Sequence, residues 1–129
     1  MPSQETWRIL IVEDQEALRD ILALTFAGAP FEVHLARDGQ AGLEMARQVR
    51  PHLVLTDLRM PRMDGLALTR ALRRDPNLAR VPVIVVTAMA DPASELLAYG
   101  AGANAFFAKP FSPIALREKA ENLLREWTE

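Results

Sequence analysis

Asp57 stands where an aliphatic run, Leu53-Val54-Leu55-Thr56, stops, and it opens the loop Asp57-Leu58-Arg59-Met60-Pro61-Arg62-Met63-Asp64-Gly65. A second apolar run, Arg8-Ile9-Leu10-Ile11-Val12, ends the same way, in Glu13-Asp14. Short aliphatic and β-branched runs of this kind read as buried parallel strands, and open α/β sheets place their sites at the carboxyl ends of such strands. The carboxylates Glu13, Asp14 and Asp57 are therefore expected to meet at one sheet edge. Like charges crowded together resist joint ionisation unless a cation neutralises them. With oxygen donors and neither His nor Cys beside them, the ion that suits is Mg²⁺, which keeps several waters and binds one or two carboxylates together with a phosphate oxygen. The chemistry implied is phosphoryl chemistry.

The elements that must position these groups are legible in the pattern. Strand-like runs cover Arg8 to Val12, Phe31 to Ala36, His52 to Thr56, Val81 to Thr87 and Asn104 to Ala108. Between them, Gln15 to Ala27 places Leu18, Ile21, Leu22 and Thr25 at helical spacing and stops at Gly28-Ala29-Pro30. A second helix starts after Asp38 as N-cap, turns Leu43, Ala46 and Val49 to one side and closes at Pro51. A third runs from about Gly65 to Arg74 with Leu66, Thr69 and Leu72 inward. A fourth opens with Asp91-Pro92, carries Leu96 and Leu97 and yields to Gly100 and Gly102. A fifth opens with Ser112-Pro113, and its stripe of Leu116, Ala120, Leu123, Leu124 and Trp127 is expected to face the core. Strict alternation of strand and helix predicts parallel strands joined by right-handed crossovers, a doubly wound three-layer αβα sandwich. A site shared by the ends of the first and third runs requires those strands to lie close together.

The 129 residues fit one domain, and half of them are hydrophobic while a quarter are charged, the balance of an ordinary folded chain. A net charge of −2 supplies no basic footprint for direct nucleic-acid binding. The absence of cysteine excludes disulfides and thiolate metal sites and agrees with a reducing, cytoplasmic setting. No signal peptide is visible at the start, and no apolar run reaches the roughly 20 residues of a membrane span. The end, Glu126-Trp127-Thr128-Glu129, has no Pro- or Gly-rich linker. The expectation is a stand-alone single domain or a trimmed one.

From Trp7 to Trp127 the chain resembles the receiver domain of bacterial two-component response regulators. The resemblance rests on an acidic pair after the first strand, Glu13-Asp14, and an acceptor aspartate after the third, Asp57, followed by Met60-Pro61 and Asp64-Gly65. It rests further on Thr87-Ala88 after the fourth strand and Lys109-Pro110-Phe111 after the fifth. Taken singly, Glu13-Asp14 reads as a solvated strand end, Asp57 as a turn residue, Thr87 as a β-branched strand residue and Lys109-Pro110 as a solvated turn. Together, at consecutive strand ends, they favour the functional reading. Met60 and Met63 are expected to be packing residues, and His34 and His52 surface strand positions rather than metal ligands.

The resemblance implies a five-stranded sheet in the order 2-1-3-4-5 and a phosphoacceptor signalling domain that catalyses only its own phosphotransfer and dephosphorylation. It implies that Asp57 accepts a phosphoryl group from a sensor histidine kinase or phosphotransfer protein. Asp14, Asp57 and the backbone carbonyl of Arg59 hold Mg²⁺ directly in that picture, and Glu13 holds it through a water. Lys109 and Thr87 reach phosphoryl oxygens, and the Lys109–Pro110 bond is cis. Thr87 and Phe106 form the switch, biasing an output face made of the fourth helix, fifth strand and fifth helix, in a monomer or a phosphorylation-dependent dimer. Phe106 replaces the tyrosine often found there, and Phe107 is expected on the opposite, core side of the sheet. Arg59 and Met89 are expected to tune the lifetime of the phosphoryl group.

Three other readings are weaker. A Mg²⁺-dependent phosphohydrolase of the haloacid-dehalogenase kind needs a second Asp two residues after the nucleophile, where this chain has Arg59. An FMN-binding domain of the same architecture needs a phosphate cradle where this chain has Glu13-Asp14. A degenerate receiver serving as a scaffold has no need of the full acidic, hydroxyl and lysine set.

Overall fold

A computed structural model describes residues 6–128, with side chains described through Glu126, so Trp127 of the expected stripe lies outside the described side chains. The strands are β1 (Trp7–Val12), β2 (Phe31–Ala36), β3 (Leu53–Thr56), β4 (Val83–Thr87) and β5 (Ala105–Ala108). The helices are α1 (Glu16–Thr25), α2 (Gly39–Val49), α3 (Gly65–Arg74), α4 (Pro92–Ala101) and α5 (Pro113–Thr128). The strands form one parallel sheet in the order β2-β1-β3-β4-β5.

Alternation along the strands divides the core in two, since successive side chains leave opposite faces of a sheet. Ile9, Ile11, Leu53, Leu55, Ile84 and Val86 pack with Phe26, Leu116, Ala120 and Leu124 beneath α1 and α5. Leu10, Val12, Val54 and Val83 pack with Leu43, Ala46, Leu68 and Leu72 beneath α2 and α3. Each fully buried Leu or Ile contributes about 1.5–3 kcal/mol of transfer free energy, so both layers are anchored at many points. A smaller third cluster, Leu58, Val85, Ala98 and Ala103, is what holds α4.

The structure refines several expectations. Ile21, expected inward, is 47 % exposed, and α1 is instead anchored by Leu22 and by Phe26, which is fully buried just past the helix end. Phe26 N–H donates to the Ala23 carbonyl at 3.3 Å and Ala27 N–H to that of Leu24 at 3.1 Å, tightening the last turn at the point where the Phe26 ring is buried. Leu68 carries more of α3's buried face than Leu66, which is half-buried. Leu96 and Leu97 of α4 face solvent. His52 is half-buried rather than a surface residue: its Nδ1 accepts from Arg8 N–H at 2.9 Å and its ring meets Trp7 edge-on.

Asp38 caps α2 as expected, accepting from Ala41 N–H at 2.8 Å, and Arg62 bridges to it at 2.9 Å. The Ala41 N–H, with help from Arg62, holds the Asp38 carboxyl below its ordinary value. A depressed carboxylate pKa contributes stability above the unfolded value and loses it as pH falls through the folded one. Asp38→Ala is therefore expected to lower stability by about 1–2 kcal/mol at neutral pH. The gap to wild type closes as pH falls below 3.8, the ordinary value of an unfolded-chain aspartate, as urea titrations at a series of pH values would read.

Candidate functional site

The register decides which strand ends meet. Val12 pairs with Thr56 and Thr87 with Ala108, so the residues that follow β1, β3 and β5 leave the sheet along one edge. Glu13, Asp57 and Lys109 converge there. Lys109 Nζ lies 2.6 Å from Asp57 Oδ2 and 3.0 Å from Glu13 Oε1. Both carboxylates are buried, Glu13 at 1 % and Asp57 at 9 % exposure.

Each group is also fixed by backbone. Asp57 Oδ1 accepts from Leu58 N–H at 2.6 Å and, more weakly, from Arg59 N–H at 3.4 Å. Glu13 Oε2 accepts from Gln15 N–H at 3.1 Å. Burial pushes the Glu13 carboxyl above its ordinary value, and the Gln15 N–H and the Lys109 ammonium pull it partly back. Lys109 N–H donates to the Thr87 carbonyl at 2.9 Å, and the Lys109–Pro110 bond is cis, as the resemblance implied.

Glu13, Asp14 and Asp57 do not crowd one point as expected. Two of them share the Lys109 ammonium, while Asp14 is exposed and has no hydrogen-bond or ion-pair partner among the described residues. No three carboxylate or imidazole groups among the described residues form a ready metal cluster. Lys109, expected to supply positive charge toward a phosphoryl oxygen, here lies against both buried carboxylates and offsets their charge. The donors remain hard oxygens, Asp14 following Glu13 in the chain as an exposed, unpartnered carboxylate, and that set suits Mg²⁺ in chemistry and charge.

Thr87 is buried, and its Oγ1 accepts from Met89 N–H at 3.1 Å; its own proton has no acceptor among the described residues. Phe106 is half-buried against the cluster that holds α4, and Phe107 packs on the opposite core, although it too is only partly buried. Met60 and Met63 pack against the α2–α3 core. Arg59 Nε donates to Met89 Sδ, so the two residues expected to tune lifetime touch each other, a contact that spacing could not show. Arg19 Nη1, which sequence reasoning passed over, donates to the Glu13 carbonyl at 3.0 Å and steadies the acidic turn. Its only sequence signal was a place on the first turns of α1.

A doubly wound α/β domain with an acidic, hydroxyl and lysine set at one sheet edge defines a phosphoryl-accepting module. Residues 9–121 match the model of the response regulator receiver domain, and the chain belongs to that family, the phosphoacceptor domains of two-component signalling. Among its relatives are the DNA-binding dual master transcriptional regulator RpaA of Synechocystis, 33 % identical over 118 residues, and the DNA-binding response regulator MtrA of Mycolicibacterium paratuberculosis, 36 % identical over 118. Each alignment covers 92 % of this chain and, respectively, 49 % and 51 % of the relative, so the chain spans about half the length of these curated relatives. The signal receiver domain of a signal transduction histidine kinase from Syntrophus aciditrophicus superimposes with a TM-score of 0.86 at 31 % identity, covering 94 % of this chain and 92 % of that one. No helix among the described residues is long and apolar enough to cross a membrane.

Proposed function

We propose that Asp57 is the phosphoacceptor, that it takes its phosphoryl group from a phosphohistidine on a sensor histidine kinase or phosphotransfer protein, and that the chain acts as a single receiver unit of cytoplasmic signalling. The observation that carries this reading is the double hold on Asp57. The N–H groups of Leu58 and Arg59 fix one oxygen, and Lys109 holds the other at 2.6 Å. A carboxylate so oriented presents a lone pair in a fixed direction, and positioning is most of what phosphoryl transfer asks of a protein.

An Asp57 oxygen attacks the phosphorus, the phosphorus–oxygen bond forms as the phosphorus–nitrogen bond breaks, and the electron pair leaves with the imidazole. Lys109, already within 3.0 Å of two carboxylates, is a compact point charge that follows a phosphoryl oxygen. Thr87 has an unspent hydroxyl proton to donate to another. Asp14, Asp57 and the Arg59 carbonyl would hold Mg²⁺, with Glu13 reaching it through water. The ion supplies neutralisation of the charge on the transferred oxygens.

The output reading follows from how lightly α4 is held. Only Ser94, Ala98 and Ala101 of that helix are buried, while Leu96, Leu97 and Tyr99 face solvent. An element with few buried contacts shifts at low cost. Inward movement of Thr87 toward a phosphoryl group, with Phe106 following, repacks the small cluster under α4 and biases the face made by α4, β5 and α5 toward a protein partner. The receiver itself makes no direct nucleic-acid contact in this scheme.

Intact mass after incubation with acetyl phosphate tests the assignment. A single phosphoryl adduct that requires Mg²⁺ and is absent from Asp57→Asn is expected; an adduct that persists in Asp57→Asn would place the acceptor elsewhere. The same assay reads lifetime. A cleft of about 210 Å³ lined by Leu58, Arg59, Leu66, Met89 and Leu97 opens beside the site. Arg59→Ala and Met89→Ala, which unlatch its rim, are expected to change adduct decay severalfold while leaving Mg²⁺ affinity nearly intact. Decay equal to wild type in both would rule out the tuning role.

A further inference from the structure

The opposite pole of the sheet carries a second concentration of charge, outside the chemistry above. Arg50 follows α2, Arg80 precedes β4 and Arg8 lies near the start of β1. Together with His52, Asn77 and Leu78 they line a cleft of about 320 Å³, and no carboxylate lines it. The nearest acid along the chain from Arg80, Asp75, is held by Arg47 at 3.3 Å and by Asn77 N–H at 2.9 Å.

One of the three arginines has a structural task. Arg8 Nε and Nη2 donate to the carbonyls of Val49 and Arg50, satisfying the C-terminal end of α2, a role in which a cation is favoured anyway. Its Nη1 has no acceptor among the described residues. That task does not account for Arg50 or Arg80, whose side chains are exposed and make no hydrogen bond or ion pair among the described residues. Three arginines lining one concavity, in a chain of net charge −2, leave a local positive charge with no carboxylate among the lining residues. Planar forks of this kind match phosphate oxygens, and neutralising three of them calls for a multivalent anion. A concave cleft of this volume suits a small ligand better than a flat or extended polyanion.

We propose that the Arg8–Arg50–Arg80 cleft is a binding site for a small, multiply charged phosphate-bearing anion, remote from the phosphoacceptor edge. Sodium pyrophosphate is the probe. In an amide NMR titration of the whole chain, with EDTA present and ionic strength matched by NaCl, saturable shifts are expected around Arg50, His52 and Arg80. Amides around Asp14, Asp57 and Lys109 should stay still. Arg80→Gln should weaken binding about tenfold. Arg50→Asn should do the same, asparagine being chosen because residue 50 has φ of 53°, a region that asparagine tolerates. Shifts confined to the Asp57 edge, no saturation, or unchanged affinity in both variants would overturn the proposal. So would a short DNA duplex that binds the same arginines more tightly than pyrophosphate, since the cleft would then be part of a nucleic-acid surface.

Discussion

Lys109→Met will lower the rate of phosphoryl adduct formation by about two to three orders of magnitude, while Mg²⁺ binds at least as tightly as in wild type. The first half follows from losing a fixed charge aimed at developing negative charge, an effect worth about 10²–10³ in rate. The second half follows from the geometry. Lys109 Nζ sits at 2.6 Å from Asp57 and 3.0 Å from Glu13, so a cation entering the site competes with an ammonium already there. Removing it leaves two buried carboxylates facing each other without a counter-charge. Breaking a buried pair by deleting one partner costs about 3–5 kcal/mol, and the modest exposure of Asp57 and Lys109 brings the expected loss to about 2–3 kcal/mol. Added Mg²⁺ should restore much of that stability in the variant and change wild type less. Urea titrations with and without Mg²⁺, beside intact-mass kinetics, read both halves. Equal Mg²⁺ stabilisation of the two proteins would mean that Lys109 and the metal do not share a site.

The hold of Lys109 on both carboxylates is the feature the sequence could least reveal. Strand ends are local signals: Val12 before Glu13-Asp14, Thr56 before Asp57 and Ala108 before Lys109 each show where an apolar run stops. The sheet and its alternation with helices were legible for the same reason, because a buried parallel strand must be apolar on both faces. The Lys109–Glu13 ion pair joins residues 96 positions apart, and no periodicity encodes it. Helix faces were half legible. Leu22 obeyed the helical period, but Ile21 did not, because Phe26, just past the helix end, fills the core beside Leu22 and leaves Ile21 exposed. Arg8 shows the same limit from the other side. As a residue it reads as a charged strand start; only the fold lays its guanidinium on the last carbonyls of α2.

Gly65→Ala will be among the most damaging single-methyl changes available in this chain, and it should damage stability and chemistry together. Gly65 is the first residue of α3, and its N–H donates to the Leu58 carbonyl at 2.8 Å, which folds the acceptor loop back on itself. A Cβ added there would lie 2.0 Å from the Asp57 carbonyl oxygen and 2.9 Å from its carbon. The obstacle is backbone, which cannot rotate away as a side chain would, and the same carbonyl already accepts from Thr56 Oγ1 at 2.8 Å. Overpacking of this kind costs about 3 kcal/mol. The strain is relieved by moving Asp57, and a displacement on the order of 1 Å in a reacting group can cost about a hundredfold in rate. Gly100 supplies the internal comparison. It lies in α4 with nothing within 4 Å of an added Cβ, so Gly100→Ala should be neutral or stabilising by up to about 1 kcal/mol with phosphorylation unchanged. If Gly65→Ala unfolds in urea within about 0.5 kcal/mol of wild type and phosphorylates at the wild-type rate, the close packing of α3 against the acceptor loop is not what positions Asp57.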